Sequence, residues 1–210
     1  MSHESITSEE RKIRFINEHF VYEVEELLYS SLMFLSIQAR QKELTEKQVY
    51  QVFMNAVLDH SLLHGRSLLD FFYHQGDKKS ARASAFVPHW KTPHMTENII
   101  NLQRRVNDEI MHLGWKRLDV RDKSWKPIDV TNELLDVTDQ FLSELDQKFY
   151  ENSLKTLKDK TLKQRVKIPQ NNEPIEYFDL FDGAVKSITQ DPTRFDNPKK
   201  DQKAGEPTQT

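Results

Sequence analysis

Apolar residues recur three or four positions apart over long stretches of this chain, which is the pattern of a helix with one buried face. The first stretch covers residues 8–39, and it opens with Ser8 followed by Glu9 and Glu10. A hydroxyl that caps the first N–H groups and acids near the positive end of the helix dipole are typical of a helix start. Only five of the 210 residues are glycine. The pattern therefore predicts an all-α protein.

Three further helices are predicted, at about residues 45–73, 96–114 and 129–149. The second is expected to bury an apolar stripe formed by Val49, Val52, Phe53, Ala56, Val57, Leu63, Leu68, Leu69 and Phe72. Four helices with short to moderate connections predict a four- to five-helix up-and-down bundle. The long loop between helices 2 and 3 contains Phe86, Val87 and Trp90, which are too apolar for a free loop and are expected to pack onto the bundle.

The apolar pattern weakens toward the C-terminus, which predicts three regions of different character. Residues 1–168 are expected to form the helical bundle domain. Residues 169–190 are expected to form a short docking helix or a peptide that packs on a partner. Residues 191–210 contain three prolines and almost no apolar residue, so they are expected to be a disordered tail.

Several classes of function are excluded by composition. The chain contains no cysteine, which excludes a disulfide framework, a cysteine-based zinc site, an iron–sulfur cluster and a thiol nucleophile. Its glycines are scattered, so it has neither a P-loop nor a dinucleotide fingerprint. No apolar run reaches the length of a membrane helix, and no signal peptide is visible in residues 1–14. We therefore expect a cytoplasmic protein with no membrane association and no small-molecule cofactor.

Charge is distributed unevenly along the chain. The whole sequence has a formal net charge of −3, but residues 78–126 contain eleven Lys and Arg against five Asp and Glu, a net of +6. A local surplus of this kind attracts an anionic partner such as RNA. The alternative is a solvated helix with two basic loops and no ligand. Trp90, Trp115 and Trp125 lie within this segment, where they either stack on bases or, more often, cover the end of a bundle.

The third predicted helix carries the main candidate for chemistry. Arg105 and His112 are seven positions apart, almost two full turns, so they share a face, while Val106 lies on the buried stripe. A guanidinium binds phosphate oxygens, and an imidazole transfers protons near neutral pH. Together they are suited to cleaving an RNA phosphodiester by attack of the ribose 2′-hydroxyl. The alternative is structural: Arg105 pairs with an acid on its own helix, and His112 ends that helix.

A second group lies in the second helix. His64, Arg66 and Asp70 are expected to form a partly buried polar network, because Arg66 and Asp70 are four positions apart. His60 and His64 are also one turn apart and are able to reach one metal ion. However, Ser61 stands where a metalloprotease helix has glutamate, and the sequence gives no clear third ligand. No metal is therefore assigned, and a metal ion at His60 and His64 is the weakest of the hypotheses.

Residues 105–112 resemble the Arg-x(4–6)-His motif of the HEPN superfamily of small helical-bundle proteins. Residues 64–72 and 83–87 are similar to a group of uncharacterised bacterial helical proteins with such a bundle, and the likeness covers about residues 49–149. The resemblance implies metal-independent ribonuclease chemistry in active members, often with two chains forming one cleft. It implies that Arg105 and His112 are the catalytic pair and that Asn107 is the associated polar residue. In many members that polar residue directly follows the arginine, where this chain has Val106.

The leading hypothesis is thus a HEPN-like RNA-binding protein or metal-independent endoribonuclease, in a toxin or defence setting. The expected partners are RNA and either a second copy of the chain or another protein. The alternative is a non-catalytic helical interaction module that binds through residues 177–188 or through the loop around Trp90.

Overall fold

The structure is a computed structural model that describes residues 7–39, 47–73, 80–106, 127–159, 174–179 and 184–189. The chain divides into two compact units, Met1–Val166 and Lys167–Thr210. In the first unit the described elements are helical, which confirms the predicted all-α bundle. None of the described helices is long and apolar enough to cross a membrane.

Helix α1 runs through three consecutive parts: an α-helical part, Ser8–Arg14, a π-helical part, Phe15–Phe20, and a second α-helical part, Val21–Ala39. The sequence placed its cap at Ser8, but the N-cap is Thr7. The Thr7 hydroxyl accepts a hydrogen bond from the Glu10 N–H at 3.2 Å, and the Glu10 carboxylate accepts one from the Thr7 N–H at 2.7 Å. This reciprocal capping box fixes the first turn, because it satisfies two N–H groups that have no acceptor within the helix.

The other described helices of the first unit follow the predicted order, with shifted ends. They are α2 (Lys47–Tyr73), α3 (Glu97–Arg105), α4 (Pro127–Glu144) and α5 (Asn152–Asp159). Helix α3 starts after Thr96 as predicted, and the Thr96 hydroxyl caps the Ile99 N–H at 3.3 Å. Helix α4 was expected to continue to about residue 149, but it ends at Glu144 and is followed by a short 3₁₀ helix, Gln147–Phe149.

Helix α1 is antiparallel to both α2 and α4. Against α2, Glu23 contacts His64 and Glu26 contacts His60, so the numbers run in opposite directions. Against α4, Ser31 and Thr131 share a buried hydrogen bond of 2.6 Å, while the Phe20 and Phe141 rings are 5.3 Å apart. These contacts agree with the predicted up-and-down arrangement.

The core at one end of the bundle is aromatic. The Phe20, Phe71, Phe72 and Phe141 rings contact one another with centroids 5.0–6.0 Å apart, and Trp90 packs on Phe72 and Phe141. Each such pair contributes about 0.5–1.5 kcal/mol beyond burial of its area. The Trp90 indole also donates a hydrogen bond to the Phe72 carbonyl at 3.2 Å. Phe86, Val87 and Trp90 are all buried, which confirms that the described part of the loop before α3 packs onto the bundle.

Asn17, inside the π-helical part of α1, connects this helix to the end of the bundle. Its amide donates to the carbonyls of Ile13 at 2.9 Å and Phe149 at 2.8 Å, and its side-chain oxygen accepts from the Glu151 N–H at 3.2 Å. Since Asn17 is 5% exposed, these bonds satisfy polar groups that cannot reach water. They hold the chain between α4 and α5 against α1.

The apolar stripe predicted for α2 is wrong over its first half. Val52 is 66% exposed and Phe53 is 50% exposed, and Val49, Ala56 and Leu63 are exposed as well. Leu68, Leu69 and Phe72 of the predicted stripe are buried, which confirms that part of the prediction, and α2 also buries Met54 and Leu62, which the prediction did not include. Helical periodicity identifies apolar faces, but it does not state which face another element covers.

The second unit contains an antiparallel pair of strands, β1 (Pro174–Asp179) and β2 (Ala184–Thr189), with Tyr177 opposite Lys186. These strands correct the docking helix expected within residues 169–190, whereas the alternative, a peptide that packs on a partner, stays a prediction. The sequence favours strands there because β-branched and aromatic residues are frequent, and Pro174 is tolerated at the first position of a strand. The predicted tail, residues 191–210, lies outside the described residues.

Gly65 lies where four helices meet. A Cβ atom placed there would be 3.4 Å from the Leu102 side chain and 3.8 Å from those of Leu134 and Leu27. Those residues belong to α3, α4 and α1, so the missing side chain lets three helices pack closely against α2. The distances are ordinary van der Waals contacts, so a methyl group fits and anything larger does not.

We expect Gly65→Ala to raise the free energy of unfolding by about 1 kcal/mol, because alanine is the better helix former. Gly65→Leu is expected to lower it by about 1–3 kcal/mol, because the larger side chain overpacks the junction. Urea denaturation of the full chain measures both. A loss of stability in the alanine variant equal to that of the leucine variant would contradict this account of the junction.

Candidate functional site

Arg105 is the last residue of α3, and it is buried, with 7% of its surface exposed. This corrects the expectation that its guanidinium projects into solvent. Arg105 is one turn beyond Leu102 and directly precedes Val106, both of which are buried, so α3 buries a wider face at this end than the apolar stripe alone implied. A buried guanidinium is costly without a partner, and Arg105 does have an interaction partner.

Asn107 and His112, the other two predicted catalytic residues, lie outside the described residues. The face that His112 would share with Arg105 therefore stays a prediction, as does the role of Asn107 that the resemblance implies. The roles of Trp115 and Trp125 also stay predictions. Of the two roles considered for Trp90, the structure supports the structural one. Trp90 is 8% exposed within the aromatic core, so it covers the end of the bundle and is not a stacking surface for bases.

The predicted network of His64, Arg66 and Asp70 is divided between two faces of α2. Arg66 Nε is 3.9 Å from the Asp70 carboxylate, a long and partly exposed ion pair. The pKa of Asp70 is raised because the carboxyl is partly buried, and the charge of Arg66 only partly offsets this. His64 instead points toward α1. Residues two positions apart in a helix are rotated by about 200° around the helix axis, so the side chains of His64 and Arg66 lie on different faces of α2.

A different cluster forms where α1 and α2 pack together. His64 Nδ1 lies 2.7 Å from a Glu23 carboxylate oxygen, and His60 Nε2 lies 2.8 Å from a Glu26 carboxylate oxygen. The two imidazole rings are 4.4 Å apart, centre to centre, and the Tyr22 ring meets His64 edge-on at 5.5 Å. We call Glu23, Glu26, His60 and His64 the histidine–glutamate cluster.

The helix geometry explains why these four residues meet. His60 and His64 are one turn apart on α2, and Glu23 and Glu26 are nearly one turn apart on α1. Because the helices are antiparallel, the earlier acid faces the later histidine. The sequence pattern pointed to His60 and His64, but it did not identify Glu23 or Glu26 as their partners. A usable signal was present: Glu23 is one turn before buried Leu27, at the edge of the buried stripe.

The acids of this part of α1 are close enough to affect one another. Partial burial raises the pKa of Glu25, and the neighbouring charge of Glu26 raises it further. Three carboxylates within four residues thus make this stretch of α1 strongly acidic. The histidine–glutamate cluster is therefore a place where positive charge is favoured.

The described part of the basic segment exposes only some of its cations. Lys91, in the loop before α3, is exposed, and so is Arg104 near the end of α3. Arg105 is buried, so its charge does not contribute directly to a surface for an anion.

The binding surfaces predicted for an interaction module are also revised. Trp90 is buried, so the loop around it does not present its indole to a partner. Residues 177–188 fall largely in the β1–β2 pair. Among the described residues, the large apolar side chains that are exposed lie on α1, α2 and α3, and they are Tyr22, Tyr29, Val49, Val52, Phe53, Leu63 and Ile100.

No protein-family model, curated protein or solved structure was found to match this chain. The likeness of residues 105–112 to the HEPN motif therefore stays a prediction. Function has to be argued from the charges, contacts and exposed surfaces described above.

Proposed function

We propose that this chain is a HEPN-like RNA-binding bundle, in which the loop before α3 and the end of α3 provide the contact surface. The observation that carries the proposal is the exposure of Arg104 and Lys91 within a segment that has a net charge of +6. Exposed cations bind phosphates without base specificity, and their affinity depends on salt. The helical-bundle fold agrees with what the resemblance implies.

The burial of Arg105 favours binding over cleavage. In cleavage the 2′-hydroxyl attacks phosphorus, the bond to the 5′ oxygen breaks, and the products carry a 2′,3′-cyclic phosphate and a 5′-hydroxyl. Arg105 would have to contact the phosphate oxygens, and His112 would have to transfer the protons. Arg105 as a residue is 7% exposed, so in this arrangement it does not reach a phosphate in solution. Cleavage therefore requires the end of α3 to rearrange when RNA binds.

The binding proposal is tested by neutralising the two exposed cations. In Lys91→Gln/Arg104→Gln, two phosphate contacts are lost, so the slope of log affinity against log salt should become less steep by about 1.4 for single-stranded RNA. Fluorescence anisotropy with a short labelled RNA, measured over a salt series, gives this slope. The matched control is Lys155→Gln, which removes an exposed cation from α5. An unchanged slope in the double variant would place the RNA surface elsewhere or exclude it.

The cleavage reaction is tested at His112. His112→Ala should abolish cleavage of a labelled RNA in the presence of EDTA and leave Tm nearly unchanged. Arg105→Ala should lower Tm, because the guanidinium is buried. Mass spectrometry of the products checks for the 2′,3′-cyclic phosphate. A large fall in the Tm of His112→Ala, with no cleavage by the unmodified chain, would assign His112 a structural role.

A second candidate function is a helical interaction module, and the exposed apolar face of α2 favours it. Val49, Phe53, Ala56, His60 and Leu63 follow one another at alternating intervals of four and three, the spacing of a seam between two helices. Val52 lies beside this seam and is 66% exposed. Apolar residues in this arrangement are typical of a surface that packs on another helix. We propose a second copy of this chain as the partner.

Phe53→Glu is expected to convert a dimer into a monomer, because it places a charge in the centre of the apolar face. Light scattering after gel filtration should give twice the 24.9 kDa chain mass for the unmodified protein and the single chain mass for the variant. The matched control is Ile100→Glu, which changes an equally exposed apolar residue on α3. A monomeric unmodified chain, or equal effects of both substitutions, would contradict the proposal.

A further inference from the structure

We propose that His60, His64 and Glu26 bind one divalent first-row transition-metal ion, for which Zn²⁺ is the probe. The site joins α2 to α1 and does not depend on the RNA surface. Neither charge patterning nor the HEPN resemblance implies it. It is argued from the geometry, the hydrogen bonding, the charge and the exposure of the histidine–glutamate cluster.

The geometry brings three suitable ligand atoms together. One ring nitrogen from each histidine and one oxygen from Glu26 lie within 4.8 Å of one another. The ligands of a tetrahedral zinc ion, at about 2.0–2.1 Å from the metal, are about 3.3 Å from each other. The distance between His60 Nε2 and the Glu26 carboxylate oxygen is 2.8 Å, and it increases slightly to admit the ion. Distances between ligand atoms that exceed the tetrahedral value decrease. The side chains of His60 and Glu26 are partly exposed, so small rotations of these two side chains allow such changes.

The hydrogen bond from His64 to Glu23 prepares His64 to act as a ligand. When Nδ1 carries the proton and donates to the Glu23 carboxylate at 2.7 Å, Nε2 holds the lone pair that binds metal. Metal-binding histidines usually donate their other N–H to a carboxylate in this way, which fixes the ring and makes it a better ligand. Glu23 is therefore a positioning residue, and Glu26 is the ligand.

The local charge favours a cation. Glu23, Glu25 and Glu26 are acidic residues within four positions of α1. A bound dication reduces the repulsion between like charges in this stretch. Two imidazoles and one carboxylate are the ligand set that selects zinc, nickel or ferrous iron over magnesium or calcium.

The site is open on one side. The His60 side chain is 42% exposed and that of Glu26 is 31% exposed, while that of His64 is 5% exposed. An ion can therefore enter from solvent, and with three protein ligands it keeps a fourth position for water. If no metal binds, the same four residues form only two His–Glu hydrogen bonds that hold α1 to α2. The metal site and the purely structural contact differ in whether the chain binds zinc through these residues.

The test is titration of the full chain, first treated with EDTA and then dialysed, with Zn²⁺ in a calorimeter. We expect one ion per chain at this site and a Tm that rises by about 5 °C or more when free zinc is a hundredfold above Kd. His60→Ala and Glu26→Gln each remove a partly exposed ligand and should weaken binding about a hundredfold or more. Glu23→Gln should weaken it about 10–100-fold through its effect on His64.

His89→Ala is the matched control, because His89 is an exposed histidine outside the cluster. It should leave Kd unchanged. Circular dichroism establishes that each variant is folded, and Co²⁺ in place of Zn²⁺ gives visible absorption bands whose intensity reports four-coordinate geometry. Equal zinc affinity in the unmodified chain, His60→Ala and Glu26→Gln would overturn the proposal. So would a Tm that does not respond to zinc.

Discussion

The close approach of four helices at Gly65 is the constraint on which the rest of the bundle depends. With no side chain at this position, Leu27, Leu102 and Leu134 pack against the backbone of α2. This contact fixes the separation of α1, α3 and α4 from α2, and with it the register of each helix against its neighbours. Because protein interiors are close-packed, a change of a few ångströms here would displace every contact farther along the helices.

Two of those contacts decide where chemistry is available. On one side of Gly65 the α1–α2 contact brings Glu23 to His64 and Glu26 to His60, at the surface. On the other side α3 packs so that Arg105 faces inward. The bundle thus buries the residue with the strongest functional motif and exposes a cluster that no motif identified. The cost of burying charge explains why Arg105 needs a partner inside the bundle.

The distribution of exposed groups gives separate surfaces for separate roles. Arg104 and Lys91 are suited to an anion, the apolar face of α2 is suited to another helix, and the histidine–glutamate cluster is suited to a metal ion. His60 belongs to both the apolar seam and the cluster. A second chain packed on α2 would therefore cover the proposed metal site, so dimerisation and metal entry would be coupled through this one side chain.

The sequence by itself determined the helical class, the start of α3 at Thr96 and the burial of Phe86, Val87 and Trp90. Helix capping depends only on neighbouring residues, and the hydrophobic effect favours burial of apolar side chains whatever their direction. Tertiary structure alone decided which face of each helix is covered. The sequence pattern predicts that Val52, Phe53 and Leu63 belong to the core, but they are exposed. It predicts that Arg105 lies at the surface, but this residue is buried. Tertiary structure also joined Glu23 and Glu26 to histidines more than thirty residues away. Periodicity records that a helix has faces, but only the packing of other helices determines which of those faces meet water.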